Sequence, residues 1–300
     1  MSISVIIPAY NAEGFIKETI ESVLRQTLPA DDILVVDDGS TDSTAAVASA
    51  FPPPVRVLTI PNSKLGGARN FGVSQVSTEW VAFVDADDLW KPNKLERQLG
   101  ELARNPAANL CYTGRVKFTM KDGTMRFGSI IPGPPLAKIR DELFKRGTFV
   151  PSSVVIRRST LLEIGCFSPD PEVAEDWDLW LRLVHAGAQF AVCPEPLLLY
   201  RIHGASITSD GARLLAKNTR AFREHILPHL SGLARLLAIN RFYGENQAAA
   251  AGALRGRRDP RCIPLIVKSI LHLPFEGPYH YRALAGMVVA LLTGRMKPRS

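Results

Sequence analysis

Val35-Val36-Asp37-Asp38-Gly39-Ser40 and, further along, Phe83-Val84-Asp85-Ala86-Asp87-Asp88 decide how this chain folds. In each, an apolar run stops at a group of carboxylates. Runs that are apolar almost throughout suit strands buried on both faces, the habit of parallel sheets. Ligands of open α/β sheets bind beyond the C-terminal strand ends. Carboxylates projected there suit a divalent cation and the polar face of a nucleotide.

Working outward, residues 3–7, 33–36, 55–60 and 81–84 read as strands, with helix-period segments between them. Phe15, Ile16, Ile20, Val23 and Leu24 recur at helical spacing, and Gly39-Ser40-Thr41-Asp42 offers N-cap residues for a second helix. This β-α-β-α order predicts an α/β fold, Rossmann-like, with a mostly parallel twisted sheet flanked by helices. Pro92 opens a helix reaching about residue 103, and 113–135 reads as a hairpin with loops. Residues 154–156 form a strand, 159–164 a short helix ended by Gly165, and 168–171 a loop. Residues 175–183 are an amphipathic helix with acids in its first turn, where the helix dipole favours them. Residues 197–202 are a strand ending at His203.

The chain divides by charge. Its net +7 resolves into 15 Lys+Arg against 5 Asp+Glu over 209–300, and 21 against 24 over 1–208. We therefore expect a catalytic domain over 1–208 and a basic helical region over 209–300, with breaks near Pro228, Gly244, Pro260 and Pro274. Residues 283–292 are apolar, preceded by Arg282 and followed by Arg295, Lys297 and Arg299; such a segment is too short to cross a bilayer and suits an anionic membrane interface or packing onto the protein. Nucleic acid is not expected as a partner. The cysteines at 111, 166, 193 and 262 lack the spacing of a zinc site or disulfide framework. With no recognisable signal peptide, the expected location is cytoplasmic, peripheral at the inner face of the membrane.

Single residues carry more specific chemistry. In Pro8-Ala9-Tyr10-Asn11, Tyr10 can stack on or flank a base while the backbone of Pro8 and Ala9 fixes the ring; a plain strand-end turn is the alternative. Asp38 can accept the imide N–H of uracil, which cytosine lacks, or can cap a helix, a role open to Asp37 as well. Arg69 follows glycines that permit close backbone approach, and its guanidinium can reach a base or diphosphate. Asp85 and Asp87 alternate on an extended segment, so both can converge on one cation–diphosphate unit, with Ala86 between them on the donor surface. Trp177 and Trp180 share a helix face, as core residues or as a platform for a sugar ring.

Together these motifs resemble the family 2 glycosyltransferases of the GT-A fold. Val5-Ile6-Ile7-Pro8-Ala9-Tyr10-Asn11, Val35-Val36-Asp37-Asp38-Gly39-Ser40-Thr41-Asp42, Gly67-Ala68-Arg69-Asn70, Asp85-Ala86-Asp87-Asp88, Glu175-Asp176 and Tyr200-Arg201-Ile202-His203 occur in the family's order and approximate spacing, over roughly residues 1–208. The resemblance implies inverting hexosyl transfer from a nucleoside diphosphate sugar to a saccharide or lipid-linked acceptor, in cell-surface polysaccharide or glycolipid synthesis. It implies Mn²⁺ or Mg²⁺ held directly by Asp87, with Asp85 on the ribose or a metal-bound water, and Asp88 behind or exposed. It makes His203 a further ligand. Imidazole suits Mn²⁺ better than Mg²⁺. It puts the catalytic base at Asp176, with Glu175 as alternate and Asp178 nearby. A nucleotidyltransferase shares acidic strand ends but usually carries a Gly-rich, basic phosphate loop that 8–14 lacks. A non-catalytic sugar-nucleotide module would not need Asp38, Asp87 and Asp176 all at once.

Overall fold

The computed structural model of the protein describes residues 1–145, 147–170, 172–203, 211–256 and 262–272. Its first apolar runs form strands with almost no exposed surface: β1 (Ile3–Ala9) is buried at every position and β2 (Asp32–Asp37) at all but the first. They pair in parallel with Val5 beside Ile33, and β3 (Val55–Thr59) and β4 (Trp80–Phe83) extend the sheet in the order β3-β2-β1-β4. Helices α1 (Ile16–Leu24), α2 (Thr44–Ser49) and α3 (Lys64–Ser74) make the crossovers, α1 burying Ile16, Ile20 and Val23. This half is the parallel α/β layer that the sequence predicts.

Beyond β4 the sheet changes character. β8 (Val154–Arg157) runs antiparallel to β4, β6 (Leu110–Lys121) antiparallel to β8, and β9 (Phe190–Arg201) parallel to β6. The short β5 (Leu89–Trp90) closes on β9 and β7 (Thr124–Ile131) forms the expected hairpin with β6, so parallel pairing is confined to the first four strands and β6–β9. Strand β9 begins earlier than the predicted 197–202, and Pro194 and Pro196 in its first half are what hides that start in the sequence. These prolines coincide with register shifts opposite Thr113, Gly114 and Arg115 of β6, where bulges in β9 leave Pro194, Glu195 and Leu197 without a register partner.

Helix α4 (Lys94–Arg104) follows Pro92, α5 (Leu136–Leu143) follows the hairpin, and α6 (Arg158–Glu163) ends before Gly165. Helix α7 (Glu175–His185) carries the acidic turn. Trp177 and Trp180 on it are buried, with Nε1 donating to Leu143 O at 2.6 Å and to Phe149 O at 3.1 Å. A sugar-platform role is thereby corrected: both indoles are walled into the core.

The chain forms two compact units, the first comprising 1–143, 147–171 and 175–203, the second 204–300 with 144–146 and 172–174. The second contains α8 (Gly211–His225), α9 (Gly232–Gly256) and α10 (Cys262–His272). Phe222 of α8 stacks on Phe242 of α9 at 4.0 Å. A break near Pro228 is present, but the one expected at Gly244 is not: α9 runs straight through, and Ser269 Oγ of α10 donates to Gly244 O at 2.7 Å. Interhelical packing offsets the roughly 1 kcal/mol that a mid-helix glycine costs. The boundary at 208, Pro260, Pro274 and the 283–292 segment lie outside the described residues. No described helix is long and apolar enough to cross a membrane.

Candidate active site

At the ends of β1 and β2 two loops lace together. Asn11, at φ +49°, donates its N–H to Ser40 Oγ at 3.0 Å, and its Oδ1 accepts from Thr41 N at 2.8 Å. Ala12 N donates to Thr44 Oγ1 at 2.7 Å. Pro8 and Ala9 are buried in the strand end, and Tyr10 projects with 52% of its surface exposed. Gly39 turns the chain at φ +76°, where an added Cβ would stand 3.2 Å from Asn62 N. Asp37 Oδ1 accepts from Ser40 N in the turn and Asp42 Oδ1 from Thr44 N at the start of α2, whose N-cap residue is Ser43. Asp38 is buried, its Oδ1 taking Ser63 N at 2.6 Å and Ser63 Oγ at 2.9 Å.

One strand away on the other side of β1 lies the turn 85–88. With neighbouring strands about 4.8 Å apart, the ends of β2 and β4 stand about 10 Å from each other, the scale of a nucleoside beside its phosphates. Asp87 Oδ2 meets His203 Nε2 at 2.8 Å, both side chains being partly exposed. Burial and then the charge of Asp85 raise the Asp87 pKa, and His203 opposes them. Asp88 is not exposed: burial, followed by the charges of Asp87 and Asp85, lifts it well above the ordinary carboxylate range. Its Oδ1 accepts the N–H of Arg201 at 3.0 Å.

Arg69 joins this turn to α7. Its Nη2 donates to Asp85 Oδ1 at 2.7 Å and its Nη1 to Glu175 Oε1 at 3.2 Å, with the side chain only 2% exposed. Burial works against the charge, but Asp85 and Glu175 outweigh it and raise the pKa. Arg69, expected to reach a base or diphosphate, has its guanidinium enclosed between two acids in this structure. The rest of its motif explains why. A Cβ at Gly66 would sit 2.5 Å from Ser168 O, and Asn70 clasps Phe167 through Oδ1 and Nδ2 at 2.9 and 2.8 Å. Gly66 admits another stretch of chain, and that stretch leads toward Glu175.

Asp176 follows Glu175 in the first turn of α7, partly buried, with Oδ1 on Trp177 N at 2.7 Å. Burial, then the charge of Glu175, raises its pKa to about 6; the Trp177 N–H and Arg69 oppose this. A carboxylate so tuned is ionised at neutral pH yet basic enough to take a proton. Asp178 is committed elsewhere, with Oδ2 on Arg182 Nε and Nη2 at 2.9 and 2.8 Å.

The donors at the turn fit a divalent cation. Neighbouring ligands of an octahedral ion with bonds of about 2.1 Å lie about 3 Å apart, close to the 2.8 Å between Asp87 Oδ2 and His203 Nε2. Hard oxygen beside imidazole is a set that Mn²⁺ accepts readily. Several residues around the site carry no motif signal: Phe15, Glu18 and Thr19 on or beside α1, and Ser152 in the single 3₁₀ turn Pro151–Ser153, all contact the turn or the residues that hold it. Arg201 stood in the quoted motif without an assigned role. Its burial could not be read from composition.

The profile described as Glycosyl transferase family 2 matches residues 4–165, more than half of the chain. The chain belongs to glycosyl transferase family 2. It is similar to the putative teichuronic acid biosynthesis glycosyltransferase TuaG of Bacillus subtilis, 31% identical over 74% of this chain and 87% of that one. It also resembles the Escherichia coli UDP-Glc:alpha-D-GlcNAc-diphosphoundecaprenol beta-1,3-glucosyltransferase WfgD, 31% identical over 69% of this chain and 80% of that one. An uncharacterized glycosyltransferase of Rickettsia felis is 30% identical over 61% of this chain, and there the match spans 31% of the relative's length. In fold, S. aureus TarS 1-349 in complex with UDP-GlcNAc matches 98% of the chain and 92% of its own at TM-score 0.61 and 18% identity. The mannosyltransferase PcManGT of Pyrobaculum calidifontis, in complex with GDP-Man and Mn²⁺, matches 98% of this chain and 87% of its own, at TM-score 0.58 and 19% identity. This family 2 chain therefore has the GT-A fold of its neighbours.

Proposed function

We propose that the protein transfers a hexose from a UDP-sugar to an acceptor hydroxyl with inversion, in the assembly of a cell-surface polysaccharide or glycolipid. The observation that carries this reading is the buried Arg69, which ties the donor-side Asp85 to the Glu175-Asp176 pair through Glu175. Donor carboxylates and base then belong to one ion network. Asp38, with Tyr10 beside it, receives the base of the nucleotide. Asp87 and His203 hold Mn²⁺, or Mg²⁺ less well, and Asp85 faces the ribose or a metal-bound water. A cation there supplies Lewis-acid stabilisation to the departing diphosphate. Asp176 takes the proton of the acceptor hydroxyl as its oxygen attacks the anomeric carbon from the face opposite the diphosphate. Glu175, restrained by Arg69, keeps the start of α7 in place.

Uracil is favoured over cytosine by Asp38, whose Oδ1 accepts from Ser63 and whose carboxylate suits the imide N–H that cytosine lacks. WfgD, by its name, uses UDP-Glc and a diphosphoundecaprenol acceptor, and TarS was captured with UDP-GlcNAc; a lipid-linked acceptor at an anionic membrane surface suits the basic residues beyond 208. Family membership removes the nucleotidyltransferase alternative, and the intact acidic set argues against a non-catalytic module.

Calorimetry with UDP and GDP, with and without Mn²⁺, tests the donor assignment. We expect UDP to bind in a metal-dependent way and GDP to bind weakly; equal UDP affinity with and without Mn²⁺, or preference for GDP, sinks it. Flotation with anionic against neutral liposomes tests the membrane part, which equal flotation would remove.

A further inference from the structure

The backbone of the turn 85–88 is held at every carbonyl that follows Asp85. Thr19 Oγ1 lies 2.8 Å from Ala86 O and 2.9 Å from Asp88 O, while Arg201 Nε donates to Asp87 O at 2.7 Å. Ser152 Oγ accepts the N–H of Asp85 at 3.0 Å. Arg201 does most. Besides Asp87 O it reaches Glu18 Oε2 through Nη2 at 2.6 Å, and its own backbone N–H is the donor to Asp88 Oδ1. Its guanidinium lies 5.2 Å from the ring of Phe15 and 4.7 Å from that of Phe118. Phe15 in turn packs on the imidazole of His203, ring centres 4.8 Å apart.

Arg201 therefore fixes both halves of the Asp87–His203 pair by separate routes: the main chain of Asp87 directly, and the His203 ring through Phe15. An arginine kept only for stability needs an acid partner, which Glu18 provides. It does not need the carbonyl of the residue that presents the ligand. Only a planar fork can meet a carbonyl, a carboxylate and aromatic rings at once; a lysine ammonium is a point charge on a flexible stem. Residues that orient metal ligands from behind commonly set affinity by ten- to a hundredfold.

We propose that Arg201 is a positioning residue for the divalent cation, setting both affinity for Mn²⁺ and its preference over Mg²⁺. The inference rests on the metal site proposed above. Its test is Arg201→Lys in the full chain, followed by calorimetry of Mn²⁺ and Mg²⁺ in the presence of UDP and by the electron paramagnetic resonance spectrum of bound Mn²⁺. We expect Mn²⁺ affinity to fall about tenfold, the Mn²⁺/Mg²⁺ ratio to narrow and the spectrum to change, while metal-free UDP binding holds. Arg56→Lys is the matched control, because Arg56 makes a two-pronged pair with Asp32 at 2.8 and 2.9 Å on the far strand pair β2–β3. It should leave the metal readouts at their parental values. Glu18→Gln, which loosens Arg201 without emptying the core, should lower Mn²⁺ affinity by a smaller factor and serves if Arg201→Lys fails to fold. Parental Mn²⁺ affinity and spectrum in whichever of these variants folds overturn the proposal, as does an equal loss in Arg56→Lys. A parent protein that binds no Mn²⁺ with UDP overturns the metal reading itself, and the proposal with it.

Discussion

The turn 85–88 and the start of α7 are both acidic, and they are held in opposite ways. The turn is gripped from three other elements by Thr19, Ser152 and Arg201, and Asp87 leans on His203. Asp176, by contrast, accepts a hydrogen bond from Trp177 N within its own helix and is otherwise surrounded by packing, with the charge of Glu175 working against its own and that of Arg69 in its favour. Fixed oxygens suit a cation, whose ligands must not move. A carboxylate with few donors and a pKa near 6 suits proton transfer.

The widest effects should come from crossing the two. Asp87→Asn removes a charged ligand, so transfer should fall by about 10³-fold or more and UDP–Mn²⁺ binding should weaken with it. Asp176→Asn removes the base, so transfer should fall by about 10² to 10⁴-fold while the UDP–Mn²⁺ dissociation constant barely moves. Glu175→Gln should be milder. The parental kcat/KM should also decline below about pH 6, because the base must be ionised and its pKa lies there. Near-normal turnover in Asp176→Asn, with loss in Glu175→Gln, would move the base by one residue; loss of donor binding in Asp176→Asn would erase the distinction between the two ends.

Arg69 touches both, pairing with Asp85 and with Glu175. Replacing it with Met strands Asp85 and Glu175 beside a buried cavity, and breaking a buried pair from one side costs about 3–5 kcal/mol. Chemical denaturation should show that loss, and donor affinity and turnover should fall together. A variant that lost only donor binding would mean that Arg69 serves the ligand after all.

How much of this could be read beforehand depended on whether the signal was local. The runs at 3–7, 33–36 and 81–84 declared buried parallel strands because they are apolar almost throughout, with Ser4 the one polar residue in them, and the acids at the ends of the last two followed from chain order. Strand β9 did not declare itself, since Pro194 and Pro196 break the local rule against strand prolines and the bulges they sit at in β9, opposite β6, depend on pairing with a distant strand. Arg69 was legible as a functional residue but not in its direction, which depends on a loop from residues 167–168 that no nearby sequence announces. Thr19 and Ser152 were invisible: a hydroxyl on a helix or in a turn is ordinary until another element brings a carbonyl or N–H to it.

The smallest effect concerns stability and has a definite sign. The Asp176 pKa is raised from the usual 3.8 to about 6 in the folded protein, so the folded state holds that proton more tightly than the unfolded chain does. Below about pH 4 both states are protonated and the site costs nothing; between pH 4 and 6 the unfolded chain ionises first, and above 6 the folded protein bears the full penalty. Asn carries no charge to desolvate. Asp176→Asn should therefore be the more stable form at pH 7–8 by about 1–2 kcal/mol after allowance for solvent screening, a rise of a few degrees in Tm, and the gain should vanish toward pH 4. Asp87→Asn should gain less at neutral pH, because His203 already offsets part of the same penalty there. Thermal melts of the parent and both variants at pH 4, 6 and 8 decide it: a gain at pH 8 that is larger for Asp87→Asn, or one for Asp176→Asn that grows as the pH falls, would mean that Asp176 is not under more electrostatic strain than Asp87.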